Sequence, residues 1–269
     1  MLLNAIIMYM FSFVYKSIDF AHKLDPCSPT EEYYKHIHYF YEILFFVRGN
    51  VQYTVESETK QLKEGDIVLI QPGKFHYATV DLSVPYERYV LKFPEHLIPE
   101  NIREKVSSEN SFYSNTKKYE VIFNQFDAYQ QKYSDDELYL MFLCETLKLI
   151  VMICHEPVQA EKKHRAFIDS IIDFIDANIK NPITMQTLTE EFHYSQSFIN
   201  VEFKRHMKIP IMKYIRLKKI IAAHRMILSG TKKSVVAEMF GFEDYSTFYR
   251  TYKKFLKQSS IENASNLLD

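Results

Sequence analysis

Ala237-Glu238-Met239-Phe240-Gly241-Phe242-Glu243-Asp244-Tyr245-Ser246-Thr247-Phe248-Tyr249-Arg250-Thr251-Tyr252-Lys253-Lys254-Phe255 is the stretch on which the fold turns. It predicts a short helix, a tight turn and a second helix. Ala237 is small enough to let two helices approach closely, and Gly241 supplies the positive φ that such a turn requires. Phe242 is expected to plug the corner and Asp244 to cap the second helix. The pattern occurs twice. Leu188, Thr189, Phe192, His193 and Tyr194 return 48 positions later as Val236, Ala237, Phe240, Gly241 and Phe242. Beyond one inserted residue, Ile199, Phe203, Lys204 and Arg205 return as Phe248, Tyr252, Lys253 and Lys254. In the first copy His193 must occupy the glycine's place in the turn, Tyr194 is expected to plug the corner, and Ser195 is the cap. The early exposed residues of each second helix are free to enter a major groove, while its Lys and Arg end can reach phosphate.

These paired units resemble those of the AraC/XylS transcription activators across roughly residues 183–258, with Tyr214-Ile215 to Met226 similar to that family's connecting helix. The resemblance implies double-stranded DNA as partner. It places Ser197, Asn200 and Val201 of the first unit and Tyr245, Thr247 and Arg250 of the second on base edges, with Gln196, Lys204, Arg205, Ser246, Lys253 and Lys254 beside them in the interface. Arg and Asn suit guanine and adenine edges, whereas Val201 can only touch a thymine methyl. RNA polymerase is a further partner if the protein activates. The sequence departs from the family at Lys208 and Lys257, where glycine usually follows each recognition helix, at Lys232, which replaces a capping Ser, and at Ser260 and Asn263 near the end.

Charge divides the chain in the same place. Residues 164–269 carry 16 Lys and Arg against 11 Asp and Glu, a formal +5, which leaves −6 for residues 1–163 and −1 for the whole. A basic half beside an acidic half is expected when only one meets phosphate. The polar, proline-containing stretch 156–163 reads as a linker between a front domain, 1–155, and a helical domain, 164–269, with helix caps at Thr184, Ser195 and Asp244 and a stop at Ser229-Gly230. The hydrophobic fraction of 47% and charged fraction of 25% are those of a globular protein. The apolar start, Met1 to Tyr15, has no basic leader region and is too short to span a bilayer. It reads as a first strand, with Met8 or Met10 an alternative start. Three cysteines, Cys27, Cys144 and Cys154, suit a reducing cytoplasm better than a disulfide framework.

Between Tyr9 and Phe93 short runs rich in Val, Ile, Tyr and Phe, such as Tyr41 to Val47, Val51 to Val55 and Ile67 to Ile70, are broken by glycine and proline, which predicts a small barrel or sandwich. Helical spacing follows from Lys117 (Tyr119, Ile122, Phe123, Phe126, Tyr129), then a second helix from about Asp136 to Cys154, apolar on nearly every side. That helix needs cover on more than one side, from the barrel and a second subunit, or else it is wholly internal. The expected class is α+β: an N-terminal cupin-like β-barrel with a helical hairpin, then an all-α double helix-turn-helix domain.

His36, His38, Glu42, Gly49, Gly65, Pro72 and His76 follow the order of the two motifs of cupin barrels, the usual partner of this DNA-binding domain in the sugar-responsive branch. Two histidines at i and i+2 share one side of a strand, so His36, His38, Glu42 and His76 can converge on a divalent metal or serve as hydrogen-bonding groups of a ligand pocket. Tyr39, Tyr41, Phe75 and Tyr77 offer an aromatic lining. As a sensor the domain would bind a small-molecule effector, a sugar by that resemblance. The alternative is a metal cupin, sensor or enzyme, with the helix-turn-helix region appended. The fused basic domain favours a non-enzymatic sensor in a homodimeric regulator.

Overall fold

The structure, a computed structural model, describes residues 8–26, 33, 35–81, 83–106, 110–114, 117–129, 132–156, 167–242 and 244–259. Its contacts divide into two compact units, one containing residues 40–160 and the other residues 161–263. Of the expected linker, residues 157–163 lie outside the described residues, as do Cys27, Ser260 and Asn263.

The first unit begins with strands β1 (Met8–Tyr15), β2 (Ile18–Asp25), β3 (Phe40–Arg48), β4 (Val51–Val55), β5 (Glu58–Gln61), β6 (Ile67–Ile70), β7 (His76–Val80) and β8 (Tyr86–Pro94). Helix α1 (Glu100–Val106), the short strand β9 (Phe112–Tyr113) and helices α2 (Glu120–Ala128) and α3 (Asp135–Ile153) follow. Among the described residues the strands do not close into one barrel. They form a six-stranded sheet, β1-β2-β8-β3-β6-β9, and a three-stranded sheet, β5-β4-β7. All pairings are antiparallel. The α+β class stands, with two sheets in place of the expected barrel.

Alternation along the strands gives the large sheet two different buried faces. One face, with Phe20, Tyr41, Phe45, Leu91 and Phe93, packs on Ile122, Phe123 and Phe126 of α2 and Phe142 and Leu149 of α3. Phe126 and Phe142 stack with centroids 4.5 Å apart, and each such ring contributes about 1.5–3 kcal/mol on burial. The opposite face, with Leu44, Phe46, Val68 and Val90, meets Val51, Tyr53 and Val55 of the small sheet. Helix α3 starts where the sequence places it: Ser134 and Glu137 form a reciprocal capping box. It is not wholly internal in one chain, since Leu140 and Val151 are 59% and 43% exposed and Cys144 is exposed. The small elements α1 and β9 carry too little periodicity to be read from sequence.

The second unit is helical: α4 (Phe167–Ala177), α5 (Met185–Phe192), α6 (Gln196–Met207), α7 (Ile211–Leu228), α8 (Lys233–Met239) and α9 (Tyr245–Ser259). Helix α7 is the spine, packing against α6, α8 and α9. Buried Ile211, Tyr214, Ile215, Ile220, Ile221 and Ala223 make its contacts. It ends at Ser229, with Gly230 at φ +98°. No described helix is long and apolar enough to cross a membrane.

Candidate nucleic-acid interface and effector site

Each helix-turn-helix is assembled by local chemistry. Thr184 caps α5 in a box with Thr187, and α5 stops because His193 takes the left-handed conformation, φ 57°. Ser195 then caps α6, accepting from the Phe198 amide at 3.2 Å. Buried Ile199, Phe203 and Met207 hold α6 down, and Lys204, Arg205 and His206 occupy its last turn, where cations complement the helix dipole. In the second unit α8 has no side-chain cap at Lys232, the position where a capping Ser is missing. Gly241 makes the turn at φ +69°. Asp244 caps α9 through the Thr247 amide at 2.8 Å, and hydrogen bonds from the Thr247 side chain and backbone hold its carboxyl below the usual range.

Every residue expected at the interface is exposed: Gln196, Ser197, Asn200, Val201, Lys204 and Arg205 on α6, and Tyr245, Ser246, Thr247, Arg250, Lys253 and Lys254 on α9. The two helices bring each set together on a solvent face. Val201 is 62% exposed. Arg250 is steadied by Thr247 Oγ1 at 3.3 Å, and Arg205 by Glu202 at 2.5 Å. Two expectations change. Tyr194 does not plug its corner; it is 48% exposed and stacks on Phe198 at 4.6 Å. Lys257 does not follow the second recognition helix but lies within it, because α9 continues to Ser259.

Behind these faces α7 fixes both units. Tyr214 packs edge-on against Phe203 at 5.2 Å in the first. In the second, the Lys219 ammonium donates to the Phe240 carbonyl at 3.1 Å, and burial pulls its pKa down. His224 shares a 2.7 Å hydrogen bond with Tyr252; burial lowers the imidazole to about 4 and raises the phenol to about 12, so both are neutral. The buried Lys218 reaches Asp176 of α4 at 2.7 Å. None of these ties was apparent from sequence, because single polar residues on a long helix read as solvent-facing.

The structure gathers His36, His38, Glu42 and His76, with one donor atom from each lying within 4.8 Å of the others. His36 is exposed and the other three are buried. Residues 36 and 76 exchange backbone hydrogen bonds, His36 N–H to His76 O at 3.1 Å and His76 N–H to His36 O at 3.0 Å. Their rings lie 4.0 Å apart. Tyr41 is not part of this group. It neighbours Glu42 on β3, so it points to the helix-covered face, where it stacks on Phe93 at 5.6 Å. Tyr39 and Tyr77 are half-buried, while Phe75 is buried.

The sequence reading missed a row of charges on the face between the sheets. Asp19 pairs in register with Lys92, and Lys92 with Glu42, across three adjacent strands. Lys92 and Asp19 lie 3.6 Å apart. Arg88 meets Asp25 at 2.7 Å, both 4% exposed, and sits over the Tyr86 ring at 4.2 Å. Lys23 is buried on the same face. Buried charge is expensive unless paired, and Arg88 with Asp25 and Lys92 with Asp19 are paired on the face that also carries Leu44, Phe46, Val68 and Val90.

Two helix-turn-helix units on a shared spine, joined in one chain to a two-sheet domain with paired charges buried on one sheet face, define a DNA-binding regulator with a ligand-binding domain. Comparison with known proteins agrees. Residues 23–137 match the AraC-like ligand binding domain, and residues 188–262 match a helix-turn-helix domain family. The Msm operon regulatory protein of Streptococcus mutans is 21% identical over 230 residues, covering 81% of this chain and 82% of that one. The multiple antibiotic resistance protein MarA of Salmonella typhimurium is 30% identical over 89 residues, 33% of this chain and 70% of MarA. The solved AraC-like transcriptional activator CuxR aligns over 77% of both chains at 14% identity with a TM-score of 0.42. The chain belongs to the AraC family of DNA-binding transcription regulators.

Proposed function

We propose that this regulator reads two successive major-groove segments of one DNA face with α6 and α9, under the control of a polar small molecule held by the first unit. The observation that carries the DNA reading is the exposure, in register, of both sets of recognition residues on helices anchored to a single spine. Successive groove openings on one face lie about 34 Å apart, so one chain should recognise two short boxes separated by about 10 base pairs. Arg250 offers a bidentate fork to guanine. Lys254, one turn further along, reaches a phosphate.

The effector reading rests on the inner-face charges Asp19, Lys23, Asp25, Arg88 and Lys92, which favour a hydrogen-bonding ligand. A sugar follows from the resemblance to the sugar-responsive branch alone. Regulation in the cytoplasm, as opposed to catalysis, follows from the family's role. The outward stripe Leu140, Cys144, Leu147 and Val151, spaced four, three and four residues apart along α3, supports homodimer formation.

Binding of the full chain to its operator and to random duplex, measured across a salt series, tests the DNA reading. Arg250→Ala is expected to cost about 1–3 kcal/mol on the operator and to relax preference at one base pair. Lys254→Ala is expected to weaken both duplexes equally and lower the salt slope by about one. Equal weakening of both duplexes by Arg250→Ala would make it a backbone contact and remove base reading from α9. Sedimentation of the same protein should show a dimer that Leu140→Glu converts to monomer; an unchanged state would leave α3 without a subunit partner.

A further inference from the structure

We propose that His22 is a proton-controlled latch in the ligand-binding unit: as an imidazolium it clamps helix α2 and strand β8 to strand β2, and on losing its proton it lets one side of the clamp go. His22 Nδ1 lies 2.7 Å from Oδ2 of Asp127, in the last turn of α2, and Nε2 lies 3.0 Å from Oε1 of Glu87 on β8. A carboxylate oxygen only accepts, so both ring nitrogens donate, and an imidazole with two N–H groups is a cation. The side chain is 7% exposed, which makes it an enclosed charge between two partners and not a surface pair.

The groups around the ring form one network. Tyr89, opposite His22 in the β2–β8 register, stacks on the imidazole with centroids 4.0 Å apart. Its hydroxyl donates to Asp127 Oδ2 at 2.8 Å and to Asn124 Oδ1 at 3.1 Å, and burial pushes the phenol pKa up, so it stays a donor. Arg48 on β3 donates to Glu87 Oε2 at 2.6 Å. Glu120, at the start of α2, adds negative potential beside Tyr89, and on β1 the residue opposite His22 is the uncharged Phe11. With its proton, His22 joins Arg48 in balancing the carboxylates of Asp127 and Glu87; without it, Arg48 faces both carboxylates alone.

Burial alone pulls the His22 pKa down, but the hydrogen bonds and charges of Asp127 and Glu87 outweigh it and leave it above the ordinary histidine value. The stability this group contributes is therefore complete below the ordinary value and is lost as pH rises through the raised one. A neutral imidazole keeps one N–H, so it holds one carboxylate and turns a lone pair on the other. The change reaches both helices of the unit. Asp127 adjoins Phe126, whose ring packs on Phe20 of the sheet at 4.7 Å and stacks on Phe142 of α3 at 4.5 Å.

The full-length protein, with no DNA present, is titrated from about pH 5.5 to about pH 9, a span that brackets the ordinary histidine pKa. NMR of the His22 ring follows the proton, and amide exchange, corrected for its intrinsic pH dependence, follows α2. His22 should titrate above the ordinary histidine value. Across that titration the protection of α2 should fall roughly tenfold relative to α4, the difference between a charge-assisted and a neutral hydrogen bond. Asp127→Asn keeps an acceptor for Tyr89 but removes one charge, so it should bring the His22 titration down and flatten the α2 profile. His22→Gln, neutral at every pH, should abolish the profile; if that variant does not fold, Asp127→Asn decides the matter by itself. A His22 that titrates at or below the ordinary value, or an α2 profile that Asp127→Asn leaves unchanged, overturns the proposal.

Discussion

The first helix-turn-helix solves with His193, Ser195 and Phe203 what the second solves with Gly241, Asp244 and Tyr252. Both turns need a left-handed residue. The second uses glycine at φ +69°, whereas the first forces His193 to φ 57° and then Lys208 to φ 56° at the end of α6. Against that strain the first unit has full caps at Thr184 and Ser195, while α8 in the second begins at Lys232 with no side-chain cap. Beneath the recognition helices, Phe203 is buried in an all-apolar contact with Tyr214, and its counterpart Tyr252 is tied to α7 by a hydrogen bond to His224. One backbone geometry is therefore reached by two balances of strain, capping and packing.

The largest consequence lies under α6 and α9. Phe203→Ala should lower the unfolding free energy by about 3–5 kcal/mol, because it leaves a cavity at a fully buried site. Tyr252→Phe removes only a hydroxyl and strands the His224 nitrogen, a loss of about 1–3 kcal/mol. Urea denaturation of both variants measures the contrast, and equal losses would show that packing alone anchors both units.

The left-handed positions should respond in opposite directions. Gly241→Ala keeps φ positive and should cost about 1–2 kcal/mol, although open space surrounds the added methyl. Lys208→Gly relieves a left-handed lysine at the price of chain entropy, a net gain of about 0.5–1 kcal/mol. If calorimetry finds Lys208→Gly neutral or worse, the conformation of Lys208 is not strained and the departure from the family's glycine carries no cost.

The smallest difference is in pH. The Asp244 carboxyl is held below its ordinary pKa by its bonds to Thr247, so its capping contribution is present above the unfolded carboxylate pKa and is lost as pH falls through the depressed folded value. Ser195 does not titrate. Amide exchange of α9 should therefore quicken relative to α6 on acidification, and Asp244→Asn should remove the pH dependence. Parallel acceleration in both helices would assign the effect to some other group.

The two units were legible because Leu188 and Val236, Ile199 and Phe248, and the residues around them recur in order, and because cap and turn residues act locally. The sheets were legible strand by strand, at Tyr41 to Val47 and Ile67 to Ile70, but not in their closure, which depends on pairings far apart in sequence. Tyr41 was misplaced against a rule the sequence already contained, since neighbours on a strand cannot share a face. The inner charges Asp19, Lys23, Asp25, Arg88 and Lys92 escaped for a deeper reason. Alternation says that two faces differ, not which one meets solvent, and here the charges share their face with Leu44, Phe46, Val68 and Val90, which pack on the second sheet, while the other face is covered by helices.

Helix α7 has 18 residues, a length of about 27 Å at 1.5 Å each, and both recognition helices are seated on it. Length and phase are locked together in such a ruler. One residue inserted in α7 would turn the second reader by about 100° while advancing it only about 1.5 Å. One base pair inserted between the two boxes would turn the duplex by roughly a tenth of a revolution over about 3.4 Å. Neither change compensates the other. Operators of such a protein are free to drift in the letters of their boxes, but the interval between boxes is inherited as a unit with the helix that measures it.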